Sequence, residues 1–129
     1  MNNKCYLIVG SQEYQIAADE NSGIYDEILN KTPITGEGVN IGGEIYFMVN
    51  IDIPFNENVR EIFDIGDLIY WRSPENNIFC IAVFYGNTTH GSGDAPTAAS
   101  EAIKFASITG NCDDLEAIET GTMLKLVYR

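Results

Sequence analysis

The stretch IFCIAVFY, from Ile78 to Tyr85, is almost continuously apolar. Turn-forming residues bound it on both sides, with PENN at residues 74–77 before it and Gly86 after it. An apolar run of this length between turn signals predicts a strand that is buried on both faces, or one whose second face is covered. The rest of the chain must therefore supply neighbours for both faces of this strand.

Shorter apolar or alternating segments predict further strands on either side of this run. GSQ at residues 10–12 separates the first two segments and predicts a hairpin between them. The composition of Ala102–Ile108 also permits a helix, but its alternation favours a strand. The further predicted strands are Cys5–Val9, Glu13–Ala17, Glu44–Ile51, Val59–Phe63, Leu68–Trp71, Ala102–Ile108 and Met123–Tyr128.

Helical signals are confined to two segments. Residues 24–29 place apolar side chains on one helical face, and Asn21 or Ser22 can cap this helix. The helix should end by Thr32, because a residue that precedes proline disfavours the helical region. A second short helix is predicted after Asn111, which can cap it.

These elements predict a mainly β fold with little helix. The 129 residues suit one domain, which we expect to span residues 1–129. Short strands with tight turns, and helices too few to alternate with them, favour a sandwich or a barrel. A closed barrel leaves no open sheet edge, and a barrel of about eight strands encloses only packed side chains. Any ligand site would then lie on the outside or at the rim.

The charge of the chain limits its partners. Seven Lys and Arg against nineteen Asp and Glu give a net charge of −12. Nucleic acids and anionic membranes repel such an acidic surface, so we expect neither as a partner. No apolar run approaches the ~20 residues that cross a bilayer, and the N-terminal run is too short for a signal peptide. We therefore expect a cytoplasmic protein.

The three cysteines are far apart in the sequence and form no CxxC pair. A disulfide framework or a structural zinc site would need tighter spacing, so Cys5, Cys80 and Cys112 are expected to be structural thiols. The sequence also lacks the GxSxG, P-loop, HExxH and GxGxxG motifs. We therefore assign no catalytic residue, no metal ligand and no cofactor.

The single histidine of the chain, His90, lies in a segment that predicts a loop, NTTHGSGDAPT at residues 87–97. His90 and the adjacent Thr89 are candidates for ligand contact, because histidine titrates near neutral pH and can act as an acid or a base. The alternative is a solvated loop histidine, which loops contain more often. His90 and Asp94 alone supply too few ligands for a metal site.

Aromatic residues near strand ends predict the wall of an external groove. Alternation sends neighbours on a strand to opposite faces, so only one member of an adjacent pair can line such a groove. Packing in the core or at the barrel rim is the commoner role for a residue like Trp71. Glu44, in a strand flanked by glycines, is a candidate buried carboxylate, but a solvent-facing strand residue is the expected alternative. The groove candidates are Trp71 and Tyr70, joined by Tyr46 or Phe47 and by Phe84 or Tyr85.

Four segments carry a family resemblance in their order and spacing. GDLIYW at residues 66–71 is the most specific element among them. Together the segments cover most of residues 36–128, and the chain resembles the small cyclophilin-like domains of bacteria and archaea. The resemblance implies a closed β-barrel of about eight strands with one or two short helices. The segments are GGEIYF (42–47), EIFDIGDLIYW (61–71), the run 78–86 that ends in FYG, and SITGNCDDLEAIETG (107–121).

True cyclophilins are peptidyl-prolyl isomerases, but their Phe-His-Arg strand motif does not occur in this sequence. The resemblance therefore does not carry the isomerase activity over. Arg60 lies among carboxylates, where a surface ion pair is its expected role, and Arg72 lies at a strand end.

Three functions stay open from the sequence. The first, which we favour, is a non-catalytic binding or accessory protein that holds a peptide or small ligand in an external groove. The second is a divergent peptidyl-prolyl isomerase. The third is an oligomerising structural protein, in which a homodimer would cover the second face of Ile78–Tyr85. The candidate ligand-binding residues are Tyr46, Phe47, Trp71, Phe84, Thr89 and His90.

Overall fold

A computed structural model describes residues 4–88 and 95–129 of the chain. Strands dominate these two ranges, which contain α1 (Tyr25–Leu29) and a 3₁₀ helix (Asp113–Ala117) as their helical elements. The strands are β1 (Cys5–Val9), β2 (Gln12–Ala18), β3 (Ile34–Glu37), β4 (Val39–Asn40), β5 (Glu44–Val49), β6 (Arg60–Ile62), β7 (Asp67–Arg72), β8 (Phe79–Phe84), β9 (Thr97–Ile108) and β10 (Met123–Tyr128).

The strands form one sheet in the order β3-β10-β1-β2-β9-β7-β8-β5-β4, and β6 pairs with β9 beside this path. In the chain, Gly38 alone separates β3 from β4, which lie at the two ends of that order. The sheet therefore returns on itself as a nearly closed barrel. If β3 and β4 are taken as one strand, the described residues place eight strands around the barrel, which confirms the predicted architecture.

Gly38 makes this closure sterically feasible. Its N–H donates to the Thr122 carbonyl (2.8 Å), and its own carbonyl accepts from the N–H of Gly121 (2.8 Å). A Cβ at this position would collide with the Leu124 side chain. A larger residue at position 38 would therefore require the Leu124 side chain to move.

The main hydrophobic core fills the barrel interior. Alternate residues of each strand point inward, because strand side chains point to opposite faces in turn. The buried Tyr70 hydroxyl donates to the Ile51 carbonyl (2.6 Å) and accepts from the Ile53 N–H (3.0 Å), so this interior polar group is satisfied. The inward residues of β5, β7 and β8 are Ile45, Phe47, Leu68, Tyr70, Ile81 and Val83.

A second, smaller core lies on the outside of the same three strands. Phe63, which follows β6, stacks on Phe84 of β8 with ring centroids 5.5 Å apart. Tyr46 and Trp71 pack against the edge of this outer core. Strand β8 is therefore covered on both faces, as its continuous apolar sequence predicts. The other members of the outer core are Ile69, Ala82, Ala98 and Ala102.

The predicted strands are confirmed within two residues at each end, with one exception. Strand β9 begins at Thr97, five residues before the predicted start, and runs for 12 residues. Its first half pairs with β6 and its second half with β7, and these long-range hydrogen bonds are not visible in a local pattern. The sequence patterns also do not predict β3 and β4, because glycines interrupt their alternation.

The predicted start and end of α1 are close to those observed. The helix begins at Tyr25 and ends at Leu29, before the limit that the following proline sets. The Ser22 hydroxyl accepts from the N–H groups of Ile24 and Tyr25 at 3.2 Å each, so it stabilises the start of the helix.

The three cysteines are buried free thiols, in agreement with their expected structural role. Within the described ranges, no helix combines the length and the apolar character needed to cross a bilayer.

Candidate functional site

An open groove, which we call the β8 groove, runs along the outside of the barrel. Its floor consists of small side chains from β8, Cys80 and Ala82, and its flanks consist of larger side chains from β5 and β7. The surface is concave here because small residues on a central strand lie between large residues on both neighbours. The groove has a volume of about 400 Å³. It is lined by Ile41, Glu44, Tyr46, Met48, Ile69, Trp71, Ile78, Cys80, Ala82, Ala98 and Ala99.

The strand register arranges the outward residues in three rows across the groove. Successive rows are about 7 Å apart, because two strand residues rise by that distance. Glu44 therefore lies at one end of the groove and Trp71 at the other, about 14 Å apart along the strands. The rows are Glu44–Phe84, Tyr46–Ala82–Ile69 and Met48–Cys80–Trp71.

Gly43 fixes the end of the groove that holds Glu44. Its φ of +82° is a conformation that residues with a side chain rarely adopt, and a Cβ there would collide with the backbone of Asn87. The Gly43 carbonyl accepts from the N–H groups of Tyr85 (2.8 Å) and Gly86 (3.1 Å). The end of β8 is thereby held against the start of β5, and Glu44 follows directly on the groove face.

Glu44 is the carboxylic residue of the groove lining. It is only 7% exposed, and its Oε1 has no hydrogen-bond partner among the described residues. Burial raises the pKa of the carboxyl from 4.5 to about 7, because an apolar site solvates the charged form poorly. The expectation that Glu44 faces solvent is therefore wrong. Residues from outside its strand, including Ile41 and Ala98, line the groove with it.

Cys80 lies in the groove floor and is also buried. Its burial, and then the charge of Glu44, raise the pKa of the thiol to about 11. Such a thiol stays protonated at neutral pH and is a poor nucleophile. Cys80 therefore contributes apolar surface to the groove.

A second buried carboxylate, Asp67, lies on β7, across β8 from Glu44. It contacts two cations, with Lys104 Nζ at 3.2 Å and the Arg60 guanidinium at 3.8 Å. It also accepts from the backbone N–H of Asp64 (2.9 Å). Asp67 thus has the partners that a buried charge needs, whereas no such partner contacts Oε1 of Glu44 within the described residues.

The structure brings two of the sequence-predicted site residues into one groove. Tyr46 and Trp71 both line it, and the Trp71 Nε1 donates to the Ser100 hydroxyl (2.6 Å), which orients the indole. Phe47 instead lies in the barrel interior, as alternation requires once Tyr46 faces outward. Phe84 lies in the outer core rather than in the groove lining.

Thr89 and His90, the remaining predicted site residues, lie outside the described residues, as does Asp94. Within the described ranges, no group of three or more His, Cys, Asp or Glu residues is arranged to hold a metal ion.

Sequence reasoning did not assign Met48, Ile69 or the floor residues to the site. A signal for two of them was present, because Met48 lies two residues after Tyr46 and Ile69 lies two residues before Trp71. Residues two apart on a strand share a face. The floor could not be found this way, since only the pairing of β8 between β5 and β7 shows which small residues lie between large ones.

A second hollow, of about 600 Å³, lies beyond the end of β7 and includes Arg72. Arg72 donates to the Ile53 carbonyl (2.8 Å) and forms an ion pair with Asp52 (3.0 Å). Its guanidinium also lies 5.4 Å from the centroid of the Phe79 ring. The cation of this hollow therefore makes structural contacts.

Comparison with known proteins identifies the family. A family model described as Cyclophilin-like matches residues 3–126. The chain belongs to the cyclophilin-like family. Among solved structures, the solution structure of a hypothetical protein from Archaeoglobus fulgidus is similar, with a TM-score of 0.76 and 23% sequence identity. The match covers 96% of this chain and 92% of that chain. No curated protein matches significantly in sequence.

At this identity, the likeness to the archaeal protein shows a shared fold and carries no activity over. The groove of this cyclophilin-like domain is built on the strands that carry GGEIYF and GDLIYW, the segments on which the family resemblance rests. Neither Arg60 nor Arg72 lines the groove, since they contact Asp67 and Asp52. The ion pair predicted for Arg60 is thus present, with Asp67 as its partner.

Proposed function

We propose that the β8 groove binds a small ligand with an apolar body. The observation that carries this proposal is the aromatic flank of Tyr46 and Trp71 beside a floor of small residues. Small-molecule sites are typically concave, of roughly 300–1,000 Å³, and lined by apolar and aromatic side chains with a few polar groups. The groove has this size and composition.

Exposed apolar side chains at the groove support the proposal. Met48 is 60% exposed and Ile41 is 37% exposed. Both lie in a groove lining that is mostly apolar, on a chain whose net charge is −12. A contiguous apolar surface on an otherwise charged protein is typical of an interaction site.

The pairing of β8 favours a small ligand over an extended peptide. An extended peptide usually binds by adding a strand to an open sheet edge. Strand β8 is hydrogen-bonded to β5 on one side and to β7 on the other, so its edges are occupied. Affinity in the groove must therefore come mainly from side-chain contacts.

Trp71 allows a direct test, because it is the single tryptophan of the chain. We expect titration with 5-phenylpentan-1-ol to change its fluorescence with saturation, and with a Kd on the order of 1 mM for a probe of this size. The phenyl ring does not absorb at the excitation wavelength of indole, so the signal reports on the groove.

Two variants, in each of which leucine replaces an alanine, provide the comparison. Ala82→Leu fills the groove floor and should weaken the binding of 5-phenylpentan-1-ol at least 10-fold, whereas Ala17→Leu, at an exposed position of β2, should not. Thermal melting of both variants confirms that they are folded. An unchanged Trp71 emission in the wild type, or equal affinity in folded Ala82→Leu, would contradict the proposal.

A further inference from the structure

We infer that the ligand of the β8 groove is an organic cation, in which an ammonium head lies at Glu44 and an apolar body extends toward Trp71. The inference rests on the proposed function, because it specifies which class of small ligand the groove holds.

The unsatisfied carboxyl of Glu44 is the first reason. Buried polar groups are almost always hydrogen-bonded, and a buried carboxylate without a partner is costly. Oε1 of Glu44 lacks a partner among the described residues, although the side chain belongs to a groove that opens to solvent. A donor that enters the groove is the group that would satisfy it.

The surroundings of Glu44 favour a donor that carries positive charge. The groove lining contains no Lys or Arg within the described residues, so no cation of the chain competes for the carboxylate there. Tyr46 lies two residues further along the same face of β5. A carboxylate beside an aromatic ring is a combination that stabilises an ammonium group through charge and through the π face.

Asp67 shows that this chain neutralises a buried carboxylate where its role is structural. Its partners, Lys104 and Arg60, come from β9 and β6. Glu44 lies on the other side of β8 and is left without such a partner among the described residues. The protein supplies the positive charges that neutralise Asp67. At Glu44, we assign the corresponding positive charge to the ligand.

The three rows of the groove set the length of the ligand. Glu44 and Trp71 are two row spacings apart, about 14 Å along the strands, and both side chains line the groove. The middle row presents Ala82 between Tyr46 and Ile69 and, apart from the Tyr46 hydroxyl, offers apolar contact to whatever lies above it. A linear ligand with one charged end and one apolar or aromatic end fits this order. The net charge of −12 also attracts cations to the surface.

The test compares three probes that differ in the head group. Titrations of 5-phenylpentylammonium, 5-phenylpentan-1-ol and 5-phenylpentanoate are followed by Trp71 fluorescence at pH 8.5 and at about 0.15 M ionic strength. We expect the ammonium probe to bind at least 10-fold more tightly than the alcohol, and the carboxylate to bind most weakly. Glu44→Gln should abolish the preference for the ammonium probe over the alcohol. Glu37→Gln, at an exposed position of β3, removes one negative charge outside the groove and should leave the preference intact.

The outcomes separate the two proposals. If the alcohol binds as tightly as the ammonium probe and Ala82→Leu weakens both, the groove is a binding site and the cation assignment is wrong. If none of the three probes changes Trp71 emission, the proposed function itself fails.

A measurement on the wild type covers the case in which Glu44→Gln does not fold. Affinity for the ammonium probe, relative to the alcohol, should rise at least 10-fold between pH 5 and pH 8.5, because Glu44 loses its proton over this range. The other titratable groups near this side chain in the described residues are Tyr46 and Cys80 in the groove and Asp67 across β8. A ratio that does not change with pH would overturn the inference.

Discussion

Two buried carboxylates flank β8, and they differ in their ion-pair and hydrogen-bond partners. Asp67, on the β7 side, forms ion pairs with Lys104 at 3.2 Å and Arg60 at 3.8 Å and accepts a hydrogen bond from a backbone N–H. Glu44, on the β5 side, is nearly as buried, yet its Oε1 has no partner within the described residues. The Asp67 carboxylate therefore links β6, β7 and β9, whereas the Glu44 carboxylate lines the groove and makes no such link.

The same contrast separates the two faces of these strands. The interior face is apolar, and its buried Tyr70 hydroxyl is satisfied by Ile51 and Ile53. The outer face contains small floor residues, aromatic flanks and an unsatisfied acid. A surface that is built only for stability has its polar groups paired, so the groove on the outer face has the properties of a site, beside the outer core.

Among the single substitutions, removal of the paired carboxylate should destabilise the fold most. Asp67→Asn leaves Lys104, whose side chain is 24% exposed, without its charge partner, and should lower the free energy of unfolding by about 3 to 4 kcal/mol. Urea denaturation at pH 7 measures this loss. The control is Asp52→Asn, which removes an ion pair of an exposed carboxylate with Arg72 and should cost less than about 1 kcal/mol. Equal losses in the two variants would contradict the structural role of Asp67.

The unpaired carboxylate of Glu44 should make the stability of the protein depend on pH. The pKa of Glu44 in the folded protein, about 7, lies above its ordinary value of 4.5, so the folded state holds this proton more tightly than the unfolded state. Stability should therefore fall as the pH rises from about 4.5 to about 7 and then stay constant with respect to this group. The total loss is about 3 to 4 kcal/mol, since the two pKa values differ by about 2.5 and each pKa unit corresponds to about 1.4 kcal/mol.

Glu44→Gln isolates this effect, because the amide does not titrate. The difference in free energy of unfolding between the wild type and Glu44→Gln should shift by about 3 to 4 kcal/mol between pH 4 and pH 8.5, at the expense of the wild type. The exposed Glu37→Gln should show no comparable shift. A difference that is constant over the pH range would show that Glu44 is solvated in the folded protein.

The smallest of the three effects concerns the interior hydroxyl. Tyr70→Phe removes the hydroxyl that donates to the Ile51 carbonyl and accepts from the Ile53 N–H. Both backbone groups are buried and lose this partner. We expect a loss of about 1 to 2 kcal/mol in thermal or urea unfolding. Tyr46→Phe, on the groove face, should change stability by less than about 0.5 kcal/mol. A larger cost for Tyr46→Phe than for Tyr70→Phe would reverse the assignment of the two faces.

Local sequence patterns were sufficient for most of the fold. The apolar run Ile78–Tyr85 predicts a strand that is covered twice, and Phe63 and the barrel interior cover it. The segments that resemble the cyclophilin-like family led to the same architecture. Strands β3 and β4 were missed because the short pieces around Gly38 have too few residues for an alternating pattern.

The candidate site could be predicted only in part. Alternation limits the groove to one member of the pair Tyr46 and Phe47, and a strand-end position brought Trp71 into consideration. Alternation does not reveal which face is the interior, so it could not select Tyr46. His90 and Thr89 stay predictions, because they lie outside the described residues.

The sequence patterns by themselves determined that this chain forms a strand-rich fold with one strand apolar on both faces, because side-chain alternation and turn residues act over a few positions. They left a sandwich and a barrel open, and the family resemblance implied the barrel. Only the tertiary structure decided that Glu44 is buried. Its environment comes from Ile41, from Ala98 on β9 and from β8, which are adjacent in space and distant in sequence. Burial and the pKa of a carboxyl depend on the whole shell of neighbours, so a residue that reads as a solvated strand position became the polar end of a groove.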